Sequence, residues 1–268
     1  MVISLGAILL AGYMLTVAFM WLTWVGLTGS EGQALFTPFL EFPISVSVAG
    51  QYFKEFGTLL LIVLVGALIG SEYTYGTHRL SLARGVSRGQ LMGAQVVAVA
   101  ILALISSGAL LLLGAVVGAF GSLGTSGGQP LTAAGLGELA LFWLAIALNA
   151  FVYSLIALWL ATLGRSVAAA IAGPLVYIAV ELIASSILLI FRYAPNPDPM
   201  TRLISAIPDY LLATNTNEVI TLSGRSPYAL QDQSAHLGLA HALIILCVYV
   251  VLFIASSYFV FRARDVRE

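Results

Sequence analysis

Six stretches of the chain, at about 4–27, 52–71, 91–120, 136–163, 167–191 and 237–261, each run 20 or more residues with very few charges. At a rise of about 1.5 Å per residue, 20 helical residues cover the ~30 Å hydrocarbon core of a bilayer. In lipid only a helix or a closed barrel satisfies its own backbone hydrogen bonds. These runs are continuously apolar rather than alternating, which argues against a barrel. The expected fold class is therefore an all-α membrane protein with six transmembrane helices. Composition agrees: of 268 residues 60% are hydrophobic and 9% charged, where an ordinary soluble domain carries about 25% charged residues.

The same scarcity of charge excludes several functions. A net charge of −1 gives no basic field to hold nucleic acid. Lysine occurs once, at Lys54, followed by Glu55, so a GxxxxGK[ST] phosphate loop is absent and any ATP must sit on another chain. Cys247 is the single cysteine, which rules out a disulfide within the chain and a cysteine-based zinc site. The histidines are His78, His236 and His241, without HExxH, and no metal motif is visible. The first run contains Trp21 and Trp24, with no basic stretch ahead of it, and reads as a span rather than a cleaved signal.

Basic residues set the expected orientation. With the N-terminus inside, the inner connections hold Arg79, Arg84, Arg88, Arg165, Arg262, Arg264 and Arg267, and the outer ones Lys54, Arg192, Arg202 and Arg225. Both termini are expected in the cytoplasm. The outer loop 192–236 is the only sizeable polar segment. Its opening Pro195-Asn196-Pro197-Asp198-Pro199 cannot continue the fifth helix, and Ile207-Pro208-Asp209 starts a short helix over about 209–220.

The connection 72–90 between spans two and three holds the most information. Gly76 permits a sharp bend. Thr77 is placed to cap a short helix over 78–84, and Gly85 to end it. Ser87 and Gln90 have the spacing of a capping box for the third span. The expected result is a short helix at the cytoplasmic membrane surface, with Glu72 at its entrance and Arg79, Arg84 and Arg88 along it. Two readings stand on physics alone. Its arginines face lipid phosphates, or the helix docks into a groove of a soluble partner.

Glu72-x-x-x-Gly76-Thr77, then Arg79-Leu80, then Arg84-Gly85-Val86-Ser87-Arg88 and a long span, resembles the ABC type-2 exporter permeases. The topology resembles theirs over nearly the whole chain, and the specific motif covers about 72–90. Arg165-Ser166 and the stretch Ile207-Pro208 to Asn217 are weaker points of likeness. The resemblance implies a six-span permease subunit in the cell membrane, a transport component rather than an enzyme. It makes 72–90 a coupling helix seated in a cleft of a separate ATPase, with Glu72, Gly76, Thr77, Arg79, Arg84 and Arg88 as the coupling residues. The implied partners are two ATPase copies, a second permease copy or a paralogue, and lipid. ATP and Mg would belong to the ATPase, with no cofactor on this chain. Such permeases usually begin with a charged amphipathic helix. This chain starts almost within its first span, so either that helix is reduced or the chain starts late.

Within the spans, Glu181 is the conspicuous acid. A bare charge at mid-membrane costs ~2.5–3.5 kcal/mol on insertion scales. It is expected either to line a substrate path or to pair with another helix, with Asn149 in span four as the candidate partner. Pro174 is expected to kink span five. Gly66-x-x-x-Gly70, Gly89-x-x-x-Gly93 and Gly114-x-x-x-Gly118 allow close helix packing, within the chain or across a dimer seam. Trp21, Trp24, Trp143 and Trp159 read as interfacial anchors.

Two other functional classes find partial echoes in the sequence. Gly124-Thr-Ser126-Gly127 and His236 resemble the serine and histidine steps of rhomboid intramembrane proteases, in which a dyad activates the hydroxyl. Ser126 sits in a Gly-rich loop away from an apolar run, which disfavours that reading. The GxSxG matches at Ser87 and Ser126 lack the strand–turn–helix setting of a nucleophile elbow. A secondary transporter or channel ordinarily carries several membrane carboxylates or an inverted repeat, and Glu181 alone is thin support for one.

Overall fold

The computed structural model describes residues 2–26, 33, 37–125, 132–192, 198–223 and 237–263. Among them the chain is helical, with no strand. Helix α1 is Val2–Gly26 and α2 is Ile44–Tyr52. A π turn at Phe53–Gly57 carries α2 on into α3, Thr58–Tyr75. The short α4 is Thr77–Ala83, and α5 (Arg88–Thr125), α6 (Ala133–Gly164) and α7 (Val167–Arg192) are long. Helix α8 is Pro199–Ala206, followed by a 3-10 turn at Ile207–Tyr210, α9 (Leu212–Leu222) and α10 (Leu239–Ala263). Among the described residues six segments are long and apolar enough to cross a membrane: Ile3–Gly26, Ile44–Tyr75, Arg88–Leu123, Gly135–Gly164, Val167–Leu188 and Leu239–Ala263.

The chain divides into two units. The first comprises Met1–Leu64, Ile101–Ala150 and Ser223–Gln233. Here the second apolar helix begins at Ile44, not near 52 as apolarity alone suggests. Ser45, Ser47, Gly50 and Gln51 dilute the apolar signal there. The same small residues let the backbone come close to α5. A Cβ on Gly114 would strike Ala49, and one on Gly118 would strike Ser45. The Phe42 N–H reaches the Ser122 hydroxyl at 3.1 Å. Small-residue packing therefore builds the start of the helix. Trp143 turns inward and donates to the Leu104 carbonyl and the Ser107 hydroxyl, and Trp24 donates to Thr37. Both indoles thus bond within the protein. Asn149 Nδ2 donates to the Thr58 hydroxyl at 3.1 Å.

The second unit comprises Val65–Ala100, Phe151–Leu222 and Ser234–Glu268. A Cβ on Gly66 would lie 2.8 Å from the Ala170 carbonyl oxygen, and one on Gly70 2.7 Å from Val167 Cα. Helices α3 and α7 therefore meet backbone to backbone. By contrast Gly93 faces open space, so one of the three glycine pairs is not used the same way. Helices α6 and α7 join in a tight turn, with Arg165 left-handed at φ 48° and the Ser166 hydroxyl capping α7 through the Ala169 N–H at 3.1 Å. Pro174 lies inside α7.

Beyond α7, the short helix expected at 209–220 is instead a 3-10 turn and α9. An unexpected α8 precedes them. Asp198 starts α8 by accepting the Thr201 N–H at 2.9 Å, with Pro199 in the first turn. Hydrogen bonds from the Thr201 hydroxyl and N–H hold the Asp198 carboxyl below its ordinary value. The Asp198-Pro199 step, expected from sequence only to end the fifth helix, thus also begins a new one.

Candidate functional site

Two places in the second unit concentrate polar side chains. One is the elbow between α3 and α5. Gly76 is left-handed, at φ 68° and ψ 20°, and turns the chain directly from α3 into α4. Gly85, at φ 89°, ends α4, and its N–H reaches the Leu82 carbonyl at 3.0 Å. The Ser87–Gln90 capping box is formed as spaced. The Ser87 N–H donates to Gln90 Oε1 at 3.0 Å, and the Gln90 N–H to the Ser87 hydroxyl at 3.2 Å.

Thr77 does not cap α4. The one-residue turn at Gly76 puts Thr77 inside the helix, and its hydroxyl donates back to the Glu72 carbonyl at 3.3 Å. Glu72 Oε2 accepts from Gln95 Nε2 at 2.7 Å, joining α3 to α5. Arg88 Nη1 donates to the Arg262 carbonyl at 2.7 Å and the Phe261 carbonyl at 3.4 Å, covering acceptors left open at the C-terminal end of α10. The Tyr73 hydroxyl meets Thr162 of α6 at 3.2 Å. Arg84 is exposed, as are Tyr75 (80%), Leu80 (62%) and Val86 (38%). Arg79 is the third residue of α4, and its side chain lies outside the described residues. The turn at Arg165 lies at this same end, since Gly70 packs on Ser166 and Val167.

The other place surrounds Glu181, just past the middle of α7. Its Oε2 accepts the Tyr153 hydroxyl at 2.9 Å, and its Oε1 accepts the Ala213 backbone N–H at 2.8 Å. The expected partner Asn149 instead serves Thr58. The surrounding bonds tie 207–222 to α10. The Tyr249 hydroxyl donates to the Tyr210 carbonyl at 3.0 Å, and His241 Nε2 lies 3.1 Å from the Asp209 carbonyl oxygen. Glu218 Oε1 accepts the Leu237 and Gly238 N–H groups, each at 3.1 Å. Asn215, fully buried, donates to the Asp209 and Leu211 carbonyls.

Sequence reading found Glu181 but missed Gln95, Tyr153, Asn215 and Glu218. Gln95 carried one available signal, a polar residue near the start of a long apolar run. Ser126 and His236, the dyad of the protease reading, lie outside the described residues. Among the described residues no group of three His, Cys, Asp or Glu side chains is placed to hold a metal ion.

Over residues 5–267 the chain matches the family described as protein of unknown function (DUF2705), and it belongs to that family. No curated protein and no solved structure matches it.

Proposed function

We propose that this DUF2705 member is the membrane subunit of an ATP-driven exporter of the ABC type-2 kind. Two copies, or one copy and a paralogue, enclose a path across the cell membrane. Two copies of a separate ATPase hold ATP and Mg and grip the chain at 72–90, on the cytoplasmic side with both termini. The elbow is the observation that carries this reading. It is a seven-residue helix held between two left-handed glycines, with Leu80 and the following Arg84 exposed. Its roots are fastened to α5, α6 and α10 through Glu72, Tyr73 and Arg88. That pattern supports a part that is pushed from outside and moves the spans behind it.

The reading sorts the coupling residues by role. Leu80 and Arg84, with Arg79 on the same short helix, form the docking surface. Gly76 and Gly85 set its angle, and Thr77 ties its first turn to α3. Glu72 and Arg88 transmit motion to neighbouring spans, because their side chains are engaged within the chain. Two arrangements of the spans that differ by a few kcal/mol are enough for ATPase closure to shift their populations.

Co-expression of the tagged chain with candidate ABC ATPase subunits of its own genome tests the proposal. The expected result is stable co-purification, abolished by Arg79→Glu with Arg84→Glu. Arg88→Ala should keep the association and lower permease-stimulated ATP turnover. Association unaffected by the double charge reversal would overturn the docking role of the elbow.

A further inference from the structure

We propose that Glu181 is a positioning residue that fastens the segment 207–222 against the middle of α7, rather than a wall group of a transport path. The reason lies in the start of α9. Every helix leaves its first N–H groups without intrahelical acceptors, and a buried start needs a partner for them. Leu211, extended at φ −74° and ψ 150°, has no polar side chain to cap α9. Leu212 is fully buried, so water does not serve in its place. Glu181 of α7 supplies the missing acceptor through the Ala213 N–H at 2.8 Å. A carboxylate at a helix N-terminus is favoured by the helix dipole as well.

The second carboxylate oxygen is engaged too, by Tyr153 of α6. Glu181 therefore links α6, α7 and α9, and it is 5% exposed. It stands eleven residues before the end of α7 at Arg192, which is about 16 Å along the helix. The segment 207–222 thus returns to that depth instead of lying beyond the helix end. Tyr249 and His241 of α10 hold Tyr210 and Asp209, and Glu218 holds the Leu237–Gly238 step just before α10. The segment is a strap between α7 and α10, with Glu181 as its deep fastening.

The test needs neither ATPase nor cargo, so its failure is distinct from failure of the exporter reading. The full chain in the Cys247→Ser background carries one reporter, Thr216→Cys in α9 or Ala157→Cys in α6, both buried positions. The rate of maleimide labelling is measured for Glu181→Ala, Glu181→Gln and Ala213→Pro. Proline at the second position of α9 removes the N–H donor while suiting first-turn geometry, so it leaves Glu181 itself intact.

Glu181→Ala and Ala213→Pro should each raise labelling at 216 about tenfold or more and leave labelling at 157 unchanged. Glu181→Gln, whose amide oxygen still accepts the Ala213 N–H, should stay within about threefold of the parent. Parent-like labelling at 216 in Glu181→Ala or Ala213→Pro overturns the proposal. So does an equal rise at both reporters in both variants.

Discussion

The elbow and the strap lie in the same unit and are built in opposite ways. The elbow takes its shape from backbone conformation, with Gly76 and Gly85 in a region that side-chain-bearing residues rarely adopt. Its apolar and charged tips, Leu80 and Arg84, point outward. The strap takes its shape from buried polar bonds, in which Glu181, Asn215 and Glu218 satisfy backbone groups of other segments or turns. Changing an exposed tip leaves no buried group without a partner, whereas changing a buried acceptor does. The elbow's surface can therefore be altered without loss of the fold, and the strap's interior cannot.

The sharpest way to break this contrast is to strike the platform beneath the elbow. Gly70→Val puts a side chain against Val167 backbone atoms at 2.7 and 3.0 Å, where nothing can rotate aside. A loss of about 3 kcal/mol or more is expected, read as a large fall in the detergent melting temperature. A melting temperature near that of the parent would show that α3 and α7 can separate freely.

Next in size is a paired comparison. Glu218→Ala leaves the Leu237 and Gly238 N–H groups without their acceptor and should cost about 2 kcal/mol. Arg84→Ala, at the exposed elbow, should stay within about 0.5 kcal/mol of the parent. Both are read from thermal unfolding of the purified chain, and similar losses for the two would remove the contrast.

Within the elbow, Gly76→Ala forces a side chain into left-handed backbone and should cost about 1–2 kcal/mol. Thr77→Ala, which deletes only the 3.3 Å bond to the Glu72 carbonyl, should cost less than that. The reverse order would restore Thr77 as the true cap.

The smallest effect concerns pH. The Asp198 carboxyl is held below its ordinary value by Thr201, so its ionised form favours the folded cap. That contribution is complete above about pH 4, the unfolded-state value, and is lost as pH falls through the lower folded-state value. The protection of the Thr201 amide, its exchange rate measured against the intrinsic rate at each pH, should fall on acidification. Asp198→Asn should remove that pH dependence of the protection.

Much of the architecture is legible in sequence because lipid demands long apolar runs and short-range caps obey fixed spacing. The six segments and the Ser87–Gln90 box are of this kind. The start of α2 was hidden because Ser45 and Gly50 look polar and weak until Gly114 and Gly118 are beside them. The role of Thr77 was misread because a one-residue turn at Gly76 shifts the helix start by a single position. The partners of Glu181 were not legible at all. Tyr153 is 28 residues away and Ala213 is 32, and the Ala213 donor is a backbone group that no side-chain pattern marks.

Site-specific photo-crosslinking tests the central claim most directly. A photoreactive residue replaces Leu80 on the elbow or Leu203 on α8, both exposed apolar positions, in cells co-expressing the chain with a candidate ABC ATPase subunit. If the elbow is the docking surface, a covalent adduct with that ATPase forms from position 80 and none from 203. No adduct from 80, or equal adducts from both, would contradict it.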